Sequence, residues 1–526
     1  MISDLVLVNA NILTMNPANP RAEAVAVKED RILKVGKNAD VTSLIGKNTK
    51  VLDLQGKTIL PGFIDTHIHI ADFGRTLTWL DLKNVDSIKT LQDKIRQHAQ
   101  AMSKGKWLLG SGWNQDNFAE KRYPTRQDLD EASPDNPVIL YHQLGRTCIA
   151  NTKALEIASI TKDTTPPKDG AIDKNPETSE LTGILHGNAT DLIWNKIPAP
   201  TEKETLEATR HASEKIVEAG ITSVHWIICQ PAELSIAQKL ARENLPLRTY
   251  IIITANLLDN LPNPEHSENQ NPNSVKVDAV LVFADGYLAS ETAALNEPYS
   301  DNPATKGTLL YTQEELNKLV KRIHRANLQV IVHATGDKAV DAALKALEAI
   351  PPKKLSDANR YRLEQAAVLN KQLIQRIKKQ NLIVSAQPRV IESEFTVWSA
   401  TEHLGNKRAR LLFPIRTLLN KGVLVVGGSD CPMEPLNPLT GIQTAATRKF
   451  FPNERITVED ALRIYTINAA HATSEEHLKG SIEEEKLADL TVLSNDPTSV
   501  ALNKLTDIEV EMTIIGGKII YQKQSE

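Results

Sequence analysis

The sequence predicts an α/β protein in which a parallel sheet or barrel is framed by β-rich chain ends. Three observations carry that expectation. Between about residues 60 and 475, apolar strand-like runs alternate with helical stretches such as Thr201–Ala219 and Gln313–Ala326, the rhythm of parallel strands with crossover helices. Both chain ends carry instead short β-like runs split by turn residues. And several residues able to bind a metal fall at the C-terminal ends of central apolar runs, where a barrel carries its chemistry.

At the start of the chain, Leu5–Val8, Ala24–Lys28 and Arg31–Val35 read as strands of a small antiparallel sheet. The tail repeats the style. Asp489–Leu493 and Val510–Tyr521, the latter a hairpin around Gly516-Gly517, read as partner strands, so residues 1–59 and 476–526 are expected to form one discontinuous β-sandwich. Within 60–475, Thr457 caps a helix running through Tyr465, and Gly220 stands where a helix ends and a strand begins. A stretch of about 76–188 fits the βα rhythm poorly and reads as an inserted α+β subdomain beside the mouth of the barrel. Leu261–Pro272 reads as an exposed loop.

Composition bounds the function. A chain of 526 residues can bury a substantial core, and 41% hydrophobic with 24% charged residues is ordinary for a globular protein. A net charge of −4 with dispersed Lys and Arg gives no footprint for nucleic acid. The N-terminal Met-Ile-Ser-Asp-Leu has no basic start before an apolar core, and no apolar run is long enough to span a bilayer. Three cysteines, Cys148, Cys229 and Cys431, are too few for a disulfide framework, so a cytoplasmic location is expected. Cys431 reads as a packed turn residue.

The most informative stretch is Leu60-Pro-Gly-Phe-Ile-Asp-Thr-His-Ile-His69. On a strand, residues i and i+2 share a face, so His67 and His69 point together. Neutral imidazoles suit a divalent transition metal, and a catalytic zinc needs about three protein ligands with one position open. One such pair is a weak signal. His333 ends the run Val330-Ile-Val-His333, and Asp430 ends Val423-Leu-Val-Val-Gly-Gly-Ser-Asp430, although Asp430 in Gly-Ser-Asp-Cys-Pro also fits a turn cap. His67, His69, His333 and Asp430 together form a candidate metal site.

With these residues in place the chain resembles the amidohydrolase superfamily, in the branch that includes the N-substituted formamide deformylases. The likeness runs nearly end to end. It is carried by Leu60–His69, Trp107–Asn114, Pro124–Asp130 with Ser133–Pro137, Phe283-Ala-Asp-Gly286 with Glu297-Pro-Tyr299, His333–Asp337, Gln387-Pro388, Gly428-Ser-Asp430 and Ala488-Asp-Leu490. The resemblance implies a (β/α)8 TIM-like barrel, a divalent metal ion with zinc expected, a small-molecule substrate and a homodimer. Two-metal relatives use a carboxylated lysine where this chain has Leu281, and a histidine in an Arg-x-Glu-His strand where it has Gln365. A histidine of an Asp-Gly-His turn corresponds to Arg146. One metal per chain is therefore expected, with Gln365, Trp113, Asn114, Asp285 and Arg146, together with His142, as substrate-pocket candidates.

The expected activity is hydrolysis of a non-peptide C–N bond in a small amide, formamide or cyclic amide. Asp430 would act as general base toward water and then as general acid toward the leaving nitrogen; alternatively Asp430 is purely a ligand and His333 is the base. Two other readings are a deaminase of a heterocyclic amine and a non-catalytic ligand-binding descendant. Against the deaminase, His333-Ala-Thr-Gly336 lacks a glutamate proton shuttle a turn beyond the histidine.

Overall fold

The computed structural model describes residues 1–143, 147–168, 170–243, 245–260, 276–350 and 360–524. The loop expected at Leu261–Pro272 and the candidate Arg146 lie outside the described residues. The chain divides into two compact units, one of residues 1–73 with 209–526 and the other of residues 74–208.

The first unit is built on eight parallel strands: β1 (Phe63–Ile68), β2 (Ile221–Ile228), β3 (Arg248–Thr254), β4 (Lys276–Phe283), β5 (Gln329–Ala334), β6 (Arg362–Gln365), β7 (Ile383–Ala386) and β8 (Leu424–Gly427). Each pairs with the next from β1 through β8, and a parallel bridge from Ile68 to Cys431 brings the two edges together into a nearly closed barrel. Helices between the strands bury one stripe each. In Gln313–Arg325 the buried positions are Leu316, Val320 and Ile323, at the spacing of one helical face, and a capping box from Thr312 and Glu315 satisfies its first turn. Each such side chain contributes about 1.5–3 kcal/mol of burial. Thr457 caps Val458–Ile464.

The chain ends form two further sheets. Leu5–Val8, Ala24–Lys28, Arg31–Gly36 and Lys50–Asp53 make a four-stranded sheet. Asn11–Leu13, Arg21–Ala22 and Thr58–Pro61 join Leu490–Leu493, Val510–Ile515 and Lys518–Gln522 in a six-stranded one. One apolar cluster, including Leu7, Ile12, Val25, Ile59, Leu490, Val492 and Ile514, draws on both sheets. The N-terminal sheet is not wholly antiparallel as expected. Leu5–Val8 runs parallel to Lys50–Asp53 because the segment after Arg31–Gly36, which contains the helix Asn38–Thr42, crosses back before the chain pairs again. Gly516 and Gly517, at φ of 54° and 73°, form the two-residue turn of the last hairpin, a conformation disfavoured for residues with a Cβ.

The second unit holds a six-stranded sheet from Gly170–Lys174 across to Leu80–Asp81, with helices Ile88–Gln100 and Arg126–Ala132 packed on it. It begins and ends somewhat beyond the 76–188 read from the sequence.

Candidate metal centre

The site is assembled where the ends of β1 and β8 meet. The backbone N–H of Asp430 donates to the carbonyl of His67 at 2.9 Å, and that of His69 to the carbonyl of Cys431 at 3.0 Å. Buried Asp65 ties the two segments together, its Oδ1 accepting from the amides of His67 at 3.0 Å and Ser429 at 2.9 Å. Burial raises the Asp65 carboxyl to about 6 against these hydrogen bonds. Gly428 has to be glycine, because a Cβ there would stand 2.6 Å from both the backbone nitrogen and the Cβ of His67. Asp430 itself lies in the left-handed region at φ 63°. Its carboxylate is thus aimed by backbone that few residues adopt.

These constraints bring one ligand atom each from His67, His69 and Asp430 to within 4.8 Å of one another. His67 Nε2 is 3.3 Å and His69 Nε2 4.0 Å from Asp430 Oδ1. The opposite nitrogen of His67, Nδ1, is 3.0 Å from Glu364 Oε1. Although burial opposes charge on His67, the carboxylates of Glu364 and Asp430 pull its pKa up to about 10. Burial and the charge of His67 push His69 down. His67 Nδ1 thus lies near one carboxylate, and its Nε2 lies across a gap of 3.3 Å from another. That gap calls for a positive charge, either a proton or a cation, and two imidazoles with a carboxylate form a donor set that fits a divalent transition metal.

His333, at the end of β5, is buried and lies beside the rings of Phe283 and Tyr287 at centroid distances of 4.9 and 5.6 Å. It stands outside the tight group of three but senses it: burial first, then the charge of His67, lowers its pKa to about 4. Its Nδ1 has no hydrogen-bond partner among the described residues. Asp285 is occupied elsewhere. Its carboxylate accepts the amides of Ala294, Thr335 and Gly336 at 2.8–2.9 Å, which fixes the turn that follows His333.

Glu364 is a residue that the sequence analysis does not single out. On an unbroken strand it would face away from Gln365. In the structure Glu364 is wholly buried against His67 and ion-paired at 2.6 Å with Arg362, also wholly buried. The strand then breaks, with Gln365 and Ala366 at φ of 66° and 44°, so alternation no longer assigns a face to Gln365, which is itself buried. Gln387 donates to Glu364 Oε1 at 2.6 Å. Below, Arg362 donates to His225 Nδ1 at 3.0 Å, to Ser385 Oγ at 2.9 Å and to the carbonyl of Thr66.

The other side of the barrel interior is apolar. Ile227 of β2, Ile252 of β3, Ala279 and Leu281 of β4 and Ile331 of β5 pack together, with Cys229 and Phe283 against them. Leu281 is therefore one member of an apolar wall.

In the second unit, Trp113 is wholly buried, donates its indole N–H to the carbonyl of Leu140 at 2.9 Å and packs on Phe118, Tyr123 and His142. The side-chain oxygen of Asn114 accepts the amide of Asp116 at 2.9 Å. Both contacts hold that unit together.

The parallel eight-stranded barrel thus carries a group of candidate metal ligands at the C-terminal ends of its strands. Residues 50–521 match the amidohydrolase family, and the chain belongs to it. It is 33% identical to the amidohydrolase-family protein YtcJ of Bacillus subtilis, over 97% of this chain and 98% of that one. It is 28% identical to the N-substituted formamide deformylase of Arthrobacter pascens, over 99% and 98% respectively. Among solved structures, an uncharacterized metal-dependent hydrolase from Pyrococcus furiosus superposes with a TM-score of 0.76 at 29% identity, covering 94% of this chain and all of that one. The family is one of metal-dependent hydrolases acting on C–N bonds. Among the described residues no helix is long and apolar enough to cross a membrane.

Proposed function

We propose that this chain is a one-metal amidohydrolase that hydrolyses a non-peptide C–N bond in a small amide, formamide or cyclic amide. The observation that carries the reading is the convergence of His67, His69 and Asp430 within 4.8 Å, at the end of the barrel where such folds place their chemistry. His67, His69 and Asp430 would hold the ion, with His333, whose Nδ1 has no hydrogen-bond partner among the described residues, as the proposed fourth donor. When bound, a divalent ion such as zinc supplies Lewis acidity and makes water a usable nucleophile near neutral pH. Asp430 accepts the proton of the attacking water and delivers it to the departing nitrogen as the C–N bond breaks, because an amine leaves only when protonated. Buried and neutral, His333 has little tendency to carry that proton at pH 7, which supports Asp430 for the role.

The apolar wall supports one metal over two. A second dication beside Leu281 would find no anionic bridge to offset repulsion from the first, and its surroundings would be Ile227, Ile252 and Phe283. The 28% identical deformylase, which matches this chain over nearly its full length, supports a formamide or related amide as substrate. Three unpaired cysteines support a reducing, cytoplasmic setting.

The test is a screen of zinc-loaded protein against N-formyl, N-acyl, cyclic-amide and aminoheterocycle libraries, reading amine and ammonia release. Chelator-sensitive release of an amine from an amide is expected. Ammonia from aminoheterocycles alone would make the protein a deaminase. Stoichiometric metal without turnover on any class would make it a binding protein.

A further inference from the structure

We propose that the second unit holds a binding site for a small organic anion, a carboxylate with an apolar body, in a cavity between the last turns of helices Ile88–Gln100 and Arg126–Ala132. All of its groups belong to that unit, so the site goes beyond the metal centre and does not depend on it.

The cavity measures about 290 Å³ and is lined by the ends of both helices and by the turns that follow them. That is close to the lower end of the range of about 300–1,000 Å³ for small-molecule sites. Its walls are pinned, because Asn136 Nδ2 donates to the carbonyls of Ser103 and Lys106 at 2.9 and 2.8 Å. Ser133, in the lining, is 3% exposed. Its backbone is satisfied on both sides, the N–H donating to the carbonyl of Leu129 at 2.9 Å and the carbonyl accepting from Asn151 at 3.3 Å. Its Oγ has no partner among the described residues. A buried hydroxyl left unpaired costs stability, and a ligand atom in the cavity would relieve that cost.

The charges supply the sign of the ligand. Lys89 and Arg96 both lie on Asp93, at 2.8 and 2.6 Å. Lys104 pairs with Asp135 at 2.8 Å, and Lys153 donates to the backbone carbonyl of Asp135 at 2.8 Å. Four bases therefore share two carboxylates, which leaves a positive surplus for an anion. Arg96, in the lining, commits only Nη1 to Asp93, so the rest of its guanidinium fork is available to a carboxylate. Ala99, Met102 and Pro134 add apolar contact, which favours a carboxylate with an aliphatic body over inorganic phosphate.

Isothermal titration calorimetry of the full-length, zinc-loaded protein tests the site, with valerate as probe and 1-pentanol and inorganic phosphate beside it. One valerate per chain is expected to bind, more tightly than either comparison ligand. Arg96→Ala, an exposed change that leaves the fold intact, should weaken valerate by about 10–100-fold, the loss typical of a charged hydrogen bond. Ser133→Ala should weaken it by about 2–10-fold. No saturable binding of valerate overturns the proposal, as does pentanol or phosphate binding as tightly. Valerate held at the metal instead would keep its affinity in both variants, and that result also overturns it.

Discussion

The two halves of the barrel interior obey different rules. On the β6–β7–β8–β1 side, Arg362 donates to Ser385 and is ion-paired with Glu364, Gln387 donates to Glu364, and His67 lies between Glu364 and Asp430. On the β2–β5 side, Ile227, Ile252, Leu281, Ile331 and Phe283 pack together in a mostly apolar wall, beside the Tyr250–Gln329 hydrogen bond and with His333 at the end of β5. His225 stands at the seam, its Nδ1 accepting from Arg362. The contrast teaches that the charged groups of the candidate site gather on one side of the barrel, while the other offers His333 and an apolar wall. The polar half gathers its charged groups around the gap between His67 and Asp430.

Substitutions on the two sides should therefore fail in different ways. The largest effect is expected from His67→Ala or His69→Ala, which should remove the metal and take hydrolysis below detection while circular dichroism stays that of a folded barrel; elemental analysis and turnover check both. Stoichiometric metal in both variants would erase the distinction between the halves. Asp430→Asn should lower turnover by about 100-fold or more through loss of the general acid–base, as read by steady-state kinetics at saturating zinc. Turnover near wild type would move the base to His333. On the apolar side, Leu281→Ala should cost about 2–5 kcal/mol of stability through the cavity it leaves, measured by urea titration, with metal content unchanged. Altered metal content in that variant would mean that the apolar wall takes part in the site.

Asp496 serves as a reference outside both halves. It joins the chain ends, where Arg21 and Asn11 donate to it at 2.7 and 2.9 Å. Burial raises its pKa, but bonds from Thr498, Arg21 and Asn11 outweigh burial and bring it to about 2. A carboxyl depressed in this way stabilises the fold fully above its unfolded value of about 4, and that contribution is lost as pH falls toward 2. Allowing for solvent screening, Asp496→Asn should cost about 1 kcal/mol at neutral pH and flatten the acid limb between pH 4 and 2 in urea titrations, with metal content unchanged. An unflattened limb would show that its bonds to the chain ends add nothing.

What was legible in the sequence follows the range of the interactions. His67-x-His69 and Gly428-Ser-Asp430 could be read because the ligand pair and the turn that aims Asp430 are local patterns. The βα rhythm could be read because each helix repeats its apolar face within a few turns, as Leu316, Val320 and Ile323 do. Glu364 was hidden because its partners His67 and Arg362 are brought to it by the barrel, and the positive φ at Gln365 that ends the strand leaves no local pattern. His225 gave no signal, since its partner Arg362 is 137 residues away. Leu281 could be read as a missing ligand, but the wall around it depends on strand register, such as Leu281 beside Ile331, which no single segment specifies. The parallel pairing of Leu5–Val8 with Lys50–Asp53 is hidden for the same reason.

Metal stoichiometry bears most directly on the separation of the two halves. Elemental analysis of protein purified without chelators, with anomalous scattering to locate the ion, should give one divalent ion per chain bound by His67, His69 and Asp430, and none beside Leu281. Two fully occupied positions, or a carboxylate bridging a pair of ions, would contradict the account.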